Sequence, residues 1–194
     1  MTGLGSTLGR ILTELRALEA AYALVGGLAV SVRTEPRFTR DIDLAVAVQD
    51  DSEAEGLVRS LVGAGFEVQA AIEQTGAGRL ATVRLRPPGG GANVVDLLFA
   101  SSGIEADVVA AAEPLEVLPG VIVPVARTGH LIALKLLARD DDRRPQDSVD
   151  LWVLVMVADD DQRALAEEAC TAIMARGFAR GRVLVADLNA LLDS

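Results

Sequence analysis

The chain has one cysteine, one histidine and one lysine among its 194 residues, and aromatic side chains make up only 3% of it. A lone cysteine, Cys170, excludes an internal disulfide and a thiolate metal cage. A lone histidine, His130, excludes a multi-histidine zinc site. Both are expected as ordinary packing residues. With so few rings the core must be aliphatic, and the 51% apolar fraction is mainly Leu, Val, Ile and Ala. The longest apolar stretches, 22–32 and 151–158, are too short to span a bilayer. No basic region followed by a long apolar run is visible at the start, so a cytoplasmic protein without membrane association is expected. A net charge of −10 works against a broad nucleic-acid-binding face and leaves room only for a local basic cleft. Of 18 cationic residues all but Lys135 are arginine. The exception is either chance or a position that needs a compact ammonium rather than a planar fork.

Periodicity organises what is present. Residues 7–20 read as an amphipathic helix with Leu8, Ile11, Leu12, Leu15 and Leu18 on one stripe. A short buried strand, 22–25, runs through Gly26-Gly27 into a helix over 28–33. Residues 41–48 alternate, with Ile42, Leu44, Val46 and Val48 on one face and Asp41, Asp43, Ala45 and Ala47 on the other. Asp50, Asp51 and Ser52 are N-cap candidates for a helix to about 62. Strands follow at 80–86 and 93–100, joined by Pro87-Pro88-Gly89-Gly90-Gly91. A helix is expected over 104–112 and two extended pieces over 115–125, around Pro119-Gly120. Four helices follow, at 127–139, 145–157, 160–176 and 180–192. The pattern predicts an α/β (α+β) part over 1–125, a small mixed β-sheet flanked by helices, then a C-terminal helical bundle over 126–194. Trp152 is expected to anchor the second part to the first.

Three carboxylates stand out. Asp41 and Asp43, at i and i+2 on a strand, point to the same side and repel each other unless a cation lies between them. Asp96 interrupts the apolar run Val94-Val95-Asp96-Leu97-Leu98-Phe99, where a charge is costly unless it is paired or metal-bound. One reading pairs it with Arg84 or Arg86; the other makes it a third ligand for two magnesium ions. The glycine pair leaves backbone N–H groups free to face an anion. Lys135 sits in a helix apolar on all sides, so a buried ammonium there needs an anion, either a triphosphate or Asp147. Asp140-Asp141-Asp142-Arg143-Arg144 reads as a solvated connection.

The run Gly26-Gly27 … Asp41-Ile42-Asp43-Leu44 … Asp96 resembles the signature of the DNA polymerase β-like nucleotidyltransferase superfamily. Arg37-Phe38-Thr39-Arg40-Asp41-Ile42-Asp43, the stretch from Leu131 to Arg139 and Asp147-Ser148-Val149-Asp150-Leu151 further resemble the AbiEii/AbiGii-type (MenT-like) nucleotidyltransferases of toxin–antitoxin and abortive-infection systems. The likeness covers about residues 20 to 155. It implies a nucleotidyltransferase fold, an NTP substrate and two Mg2+ ions, with Mn2+ as a substitute. It implies that Asp41, Asp43 and Asp96 bind metal, Asp96 serving as third ligand or as base for the acceptor hydroxyl. Gly26 and Gly27 would hold the β- and γ-phosphates, and Lys135 would pair with the triphosphate. Asp147 would be the further acid, or Asp150 in a shifted register. Arg37 and Thr39 would contact phosphate or hold the loop before Asp41. Where the family's glycine motif often has Ser, this chain has Gly27, so a hydroxyl contact would come from Ser31 or Thr39.

The implied reaction moves an NMP from an NTP to an acceptor hydroxyl. The favoured acceptor is RNA, at a tRNA 3′ end, with a cognate antitoxin in the background. RNA binding would require Arg79, Arg84, Arg86, Arg143 and Arg144 to gather along one groove. An aminoglycoside-type small molecule, a partner protein's tyrosine, and a silent nucleotide-binding module stay open as alternatives.

Overall fold

The computed structural model describes residues 3–36, 39–74, 78–90, 93–140 and 145–193. Arg37, Phe38, Gly91, Asp141, Asp142, Arg143 and Arg144, all singled out above, lie outside the described residues.

At the centre of the sheet lies β2 (Asp41–Ala47), antiparallel to β1 (Ala21–Val25) on one side and parallel to β5 (Val94–Leu98) on the other. β4 (Arg79–Arg86) and β3 (Glu67–Gln74) extend the sheet beyond β5; β7 (Val121–Val125) and β6 (Glu113–Leu118) extend it beyond β1. The result is a seven-stranded mixed sheet of order β3-β4-β5-β2-β1-β7-β6. Ile42, Leu44 and Val46 are fully buried as the alternation predicts. β3 was not visible in the sequence. It is an edge strand exposed along nearly its whole length, so it needs no apolar alternation to hold its place.

The helices cover this sheet. α1 (Gly3–Ala17) buries Leu8, Ile11, Leu12 and Leu15. Leu18 does not join that stripe: the helix ends one residue earlier, Glu19 takes a left-handed φ of 52°, and Leu18 is 40% exposed. α2 (Gly26–Arg33) starts directly at the end of β1. Its last residue, Arg33, donates to the carbonyls of Val125 and Ala126 and pairs with Glu113 at 2.6 Å, tying α2 to the far strands. α3 (Asp51–Gly63) is capped by Asp50, which accepts from the Glu53 N–H, while Glu53 accepts in return from the N–H of Gln49. α4 (Glu105–Ala110) follows β5.

After the last strand come α5 (Thr128–Ala138), α6 (Pro145–Val157), α7 (Asp160–Ala175) and α8 (Leu184–Leu192). One apolar core runs from Leu8 on α1 to Leu188 on α8. α5 is buried on most sides, with Leu131, Ile132, Ala133 and Leu136 at 1% exposure or less. Cys170 lies in this core, as expected, and burial pushes its thiol up to about 12. Trp152 does not anchor anything: it is 59% exposed. The inward face of α6 is taken by Asp147, Asp150, Leu151 and Leu154, which leaves the tryptophan on the outer side.

α5 crosses α7 closely at Gly129, where a Cβ would lie 2.4 Å from the Gln162 carbonyl oxygen. Gly129→Ala should therefore lower stability by about 1–3 kcal/mol, read as a shift in the denaturation midpoint with unchanged slope.

Candidate active site

Strand register assembles the acidic cluster. Asp43 on β2 is directly opposite Asp96 on β5, and opposite Val25 on β1. Asp41 lies two residues up the same strand, opposite Val94. The next residue after Val25 is Gly26, the first of α2, with φ of 64°. A Cβ on Gly26 would lie 2.0 Å from Asp43 Oδ2, so only glycine lets the helix start against that carboxylate. The N-cap of α2, Val25, makes no side-chain cap hydrogen bond, which leaves first-turn N–H groups open to an anion.

Crowding has an electrostatic cost. Asp43 is pushed up to about 7 by burial first, then by Asp96 and Asp41; Lys135 and Arg84 pull the other way without cancelling the rise. Arg84, opposite Asp96 on β4, donates Nε to Asp96 Oδ1 at 2.8 Å and Nη2 to Oδ2 at 2.6 Å. This two-point fork gives the buried Asp96 carboxylate its counter-ion. Among the described residues no three His, Cys, Asp or Glu side chains close into a ready-made metal cage. Register thus brings Asp43 and Asp96 together, with Asp96 held by arginine, while Asp41 is two residues along β2 and not among the residues that line the cleft holding the other two.

Lys135 projects from α5 to a second acidic pair. Its Nζ lies 2.7 Å from Asp147 Oδ1 and 2.7 Å from Asp150 Oδ2, both on α6. The structure thus brings both candidate acids onto the lysine, Asp147 at the cleft wall and Asp150 fully buried behind it. Asp147 Oδ2 is buried and accepts no hydrogen bond. The hydroxyl candidates are engaged elsewhere. Ser31 donates to the Gly27 carbonyl and Thr39 to the Asp41 carbonyl, so Thr39 braces the strand entry. Arg37 lies outside the described residues.

A cleft of about 600 Å³ gathers Gly26, Gly27, Asp43, Asp96, Arg84, Lys135 and Asp147 in one place. A larger cavity of about 930 Å³, lined by Thr7, Arg10, Ser31, Thr39 and Asn93, holds none of the three strand carboxylates. Chemistry rather than size picks out the smaller one. Its wall also includes Thr82, Ser101 and Arg180, which no motif in the sequence marks. Of the arginines expected along one groove, Arg143 and Arg144 lie outside the described residues, and of the described three only Arg84 lines this cleft. Arg79 turns to Asp51 on α3, Arg84 to Asp96, and Arg86 to Gln69 and Glu67.

Clustered carboxylates beside an uncapped helix start suit a divalent cation: Asp41 and Asp43 could hold it, and Asp96 could join once released by Arg84. With the glycine entry and the Lys135 pair, fold and site define a nucleotidyltransferase. The chain belongs to the AbiEii family, described as nucleotidyl transferase AbiEii toxin, type IV toxin–antitoxin system, whose sequence profile matches residues 10–192. No curated protein matches the chain in sequence. Among solved structures, an antigenic nucleotidyltransferase-like protein from Paracoccidioides brasiliensis aligns with TM-score 0.55 and 22% identity over 98% of this chain and 92% of its own. A lincomycin-bound lincosamide antibiotic adenylyltransferase aligns with TM-score 0.52 and 16% identity over 79% and 97%. ANT(2'')-Ia in complex with adenylyl-2''-tobramycin aligns with TM-score 0.51 and 20% identity over 95% and 96%. At these identities the likeness is one of fold.

Because Asp43 holds its proton up to about pH 7, the metal-free protein loses this group's contribution to stability as pH rises from about 4 through 7. Magnesium must displace that proton below pH 7 and need not above it. The rise in melting temperature on adding magnesium is therefore expected to be larger at pH 8 than at pH 6, and Asp43→Asn should remove the difference. A rise independent of pH would contradict the assignment. Gly26→Ala should abolish the magnesium response, since its methyl group would collide with Asp43.

Proposed function

We propose that this enzyme transfers an NMP from a magnesium-bound NTP to the hydroxyl of an RNA acceptor, a tRNA 3′ end being favoured, as a toxin opposed by a cognate antitoxin in the cytoplasm. The observation that supports it is the placement of Asp43 and Asp96 in register beside Gly26 in a cleft shared with Lys135. The family's description as a toxin supports the biological setting. In this reading residues 1–125 provide the carboxylates and glycines, and residues 126–194 provide Lys135 and Asp147.

The acceptor oxygen forms a bond to the α-phosphorus, the bond to the β-phosphate oxygen breaks, and pyrophosphate leaves with the electron pair. The hydroxyl proton passes to a carboxylate in the cluster, for which Asp96, once freed from Arg84, is the candidate. The first-turn N–H groups of α2 orient the phosphates. Lys135, fixed by two aspartates, contributes a positioned positive charge at the α5 wall. Asp41 and Asp43 would hold the divalent cations, which would supply charge neutralisation at the phosphates and activation of the acceptor hydroxyl.

A second reading has its own support. The three described arginines proposed for an RNA groove are each engaged by a neighbouring side chain, and Glu73 adds a carboxylate to the cleft wall. That charge balance favours a small cationic acceptor of the aminoglycoside type. The solved ANT(2'')-Ia complex contains such an adenylylated compound, tobramycin.

Incubation with magnesium and each labelled NTP, offered total RNA and a panel of aminoglycosides, separates these readings. Label is expected in RNA, with Asp41→Ala and Asp43→Ala lowering transfer on the order of 10³-fold. Label in aminoglycosides alone would replace the first reading by the second. Nucleotide binding with no transfer to RNA, aminoglycoside or protein would leave only a binding module.

A further inference from the structure

Three cationic side chains line the acidic cleft among the described residues, and two are already neutralised. Arg84 is forked onto Asp96, and Lys135 is held between Asp147 and Asp150. The third is Arg180, from the connection between α7 and α8. Its hydrogen bond is from Nη2 to the carbonyl of Ser101, at 3.1 Å, and no carboxylate among the described residues pairs with it. A guanidinium has five N–H donors, so most of its capacity is unspent.

The backbone puts it there at a cost. Arg180 has φ of 55°, one of two described non-glycine residues in the left-handed region. The segment leading to it is fastened to the turn after β5. Arg176 donates to the Gly103 carbonyl at 2.6 Å and pairs with Asp107. Phe178 packs on Gly103, where a Cβ would lie 2.5 Å from the ring. Arg180 itself closes the attachment at Ser101. Three successive contacts therefore fix the chain so that an unneutralised guanidinium stands at a cleft that also holds Gly26 and Gly27.

We infer that Arg180 is a binding residue for the polyphosphate chain of the nucleotide, delivered by the helical region across the mouth of the cleft. This rests on the reading of the cleft as an NTP site. Asp96 takes up Arg84, and Asp147 with Asp150 takes up Lys135, so Arg180 is the cleft cation left to meet a ligand's negative charge. A planar fork reaching two phosphate oxygens suits the task better than a point charge. The same guanidinium could meet an RNA phosphate instead, and the two sources differ in which ligand responds to its loss.

The test is calorimetric titration of the full chain with magnesium and four probes: a non-hydrolysable NTP, the matching NMP, inorganic tripolyphosphate and a short RNA. Arg180→Ala should weaken the NTP and tripolyphosphate by about tenfold or more, and the NMP and RNA by less than about twofold. Arg180→Lys should recover part of the loss and keeps a cation if the alanine variant folds poorly. Equal weakening of NTP and NMP would mean a structural role and would overturn the assignment, as would loss confined to RNA. Unchanged NTP binding in Arg180→Ala overturns the assignment alone. An unsubstituted protein that binds no NTP sinks the nucleotide reading and this inference with it.

Discussion

The pairing of Asp43 with Asp96 across two parallel strands is the constraint on which the rest depends. Side chains alternate along a strand, so a slip of one residue would set Asp43 opposite Val95 or Leu97 and turn one carboxylate into the apolar side of the sheet. The core forbids this, because Ile42, Leu44, Val95 and Leu97 are all fully buried in the observed register. Apolar packing thereby enforces an electrostatically unfavourable meeting of acids. Gly26 sharpens it by letting the backbone come up against the Asp43 carboxylate. Arg84 moderates it through a fork on Asp96, yet Asp96 still raises Asp43 more than Asp41 does.

The helical region is more than a cover for this arrangement. α5 carries the ammonium, α6 carries the two acids that fix it, and the α7–α8 connection carries a guanidinium to the same cleft. Their positions depend on the sheet through a few specific links. Arg33 joins α2 to the strand leading into α5. Gly129 lets α5 and α7 cross at backbone distance. One continuous core runs beneath all of them, so movement of the helices would be felt at the carboxylates.

How much of this could be read beforehand depends on whether a residue's neighbours are near it in sequence. β2 and β5 were legible because an acid inside an apolar alternation is conspicuous, and the glycine pair marked the turn into α2. The partner of Asp96 was narrowed only to Arg84 or Arg86, because the choice rests on cross-strand register. β3 escaped notice since an exposed edge carries no burial pattern. Trp152 was misplaced because size suggested burial, whereas Asp147, Asp150, Leu151 and Leu154 had already filled the inward side of α6. Arg180 had no local signal at all: its contact with Ser101 spans 79 residues, and its role in the cleft exists only once the segment around Phe178 has docked on Gly103.

The salt-bridged ammonium on α5 has a consequence for the chemistry of the whole surface. This chain has a single lysine, and that side chain is 14% accessible and wedged between two carboxylates. Acylating reagents and lysine-modifying enzymes therefore meet a coat of arginine with no exposed ε-amine to attack. Any acyl group that did reach Lys135 would leave two buried acids without their counter-ion.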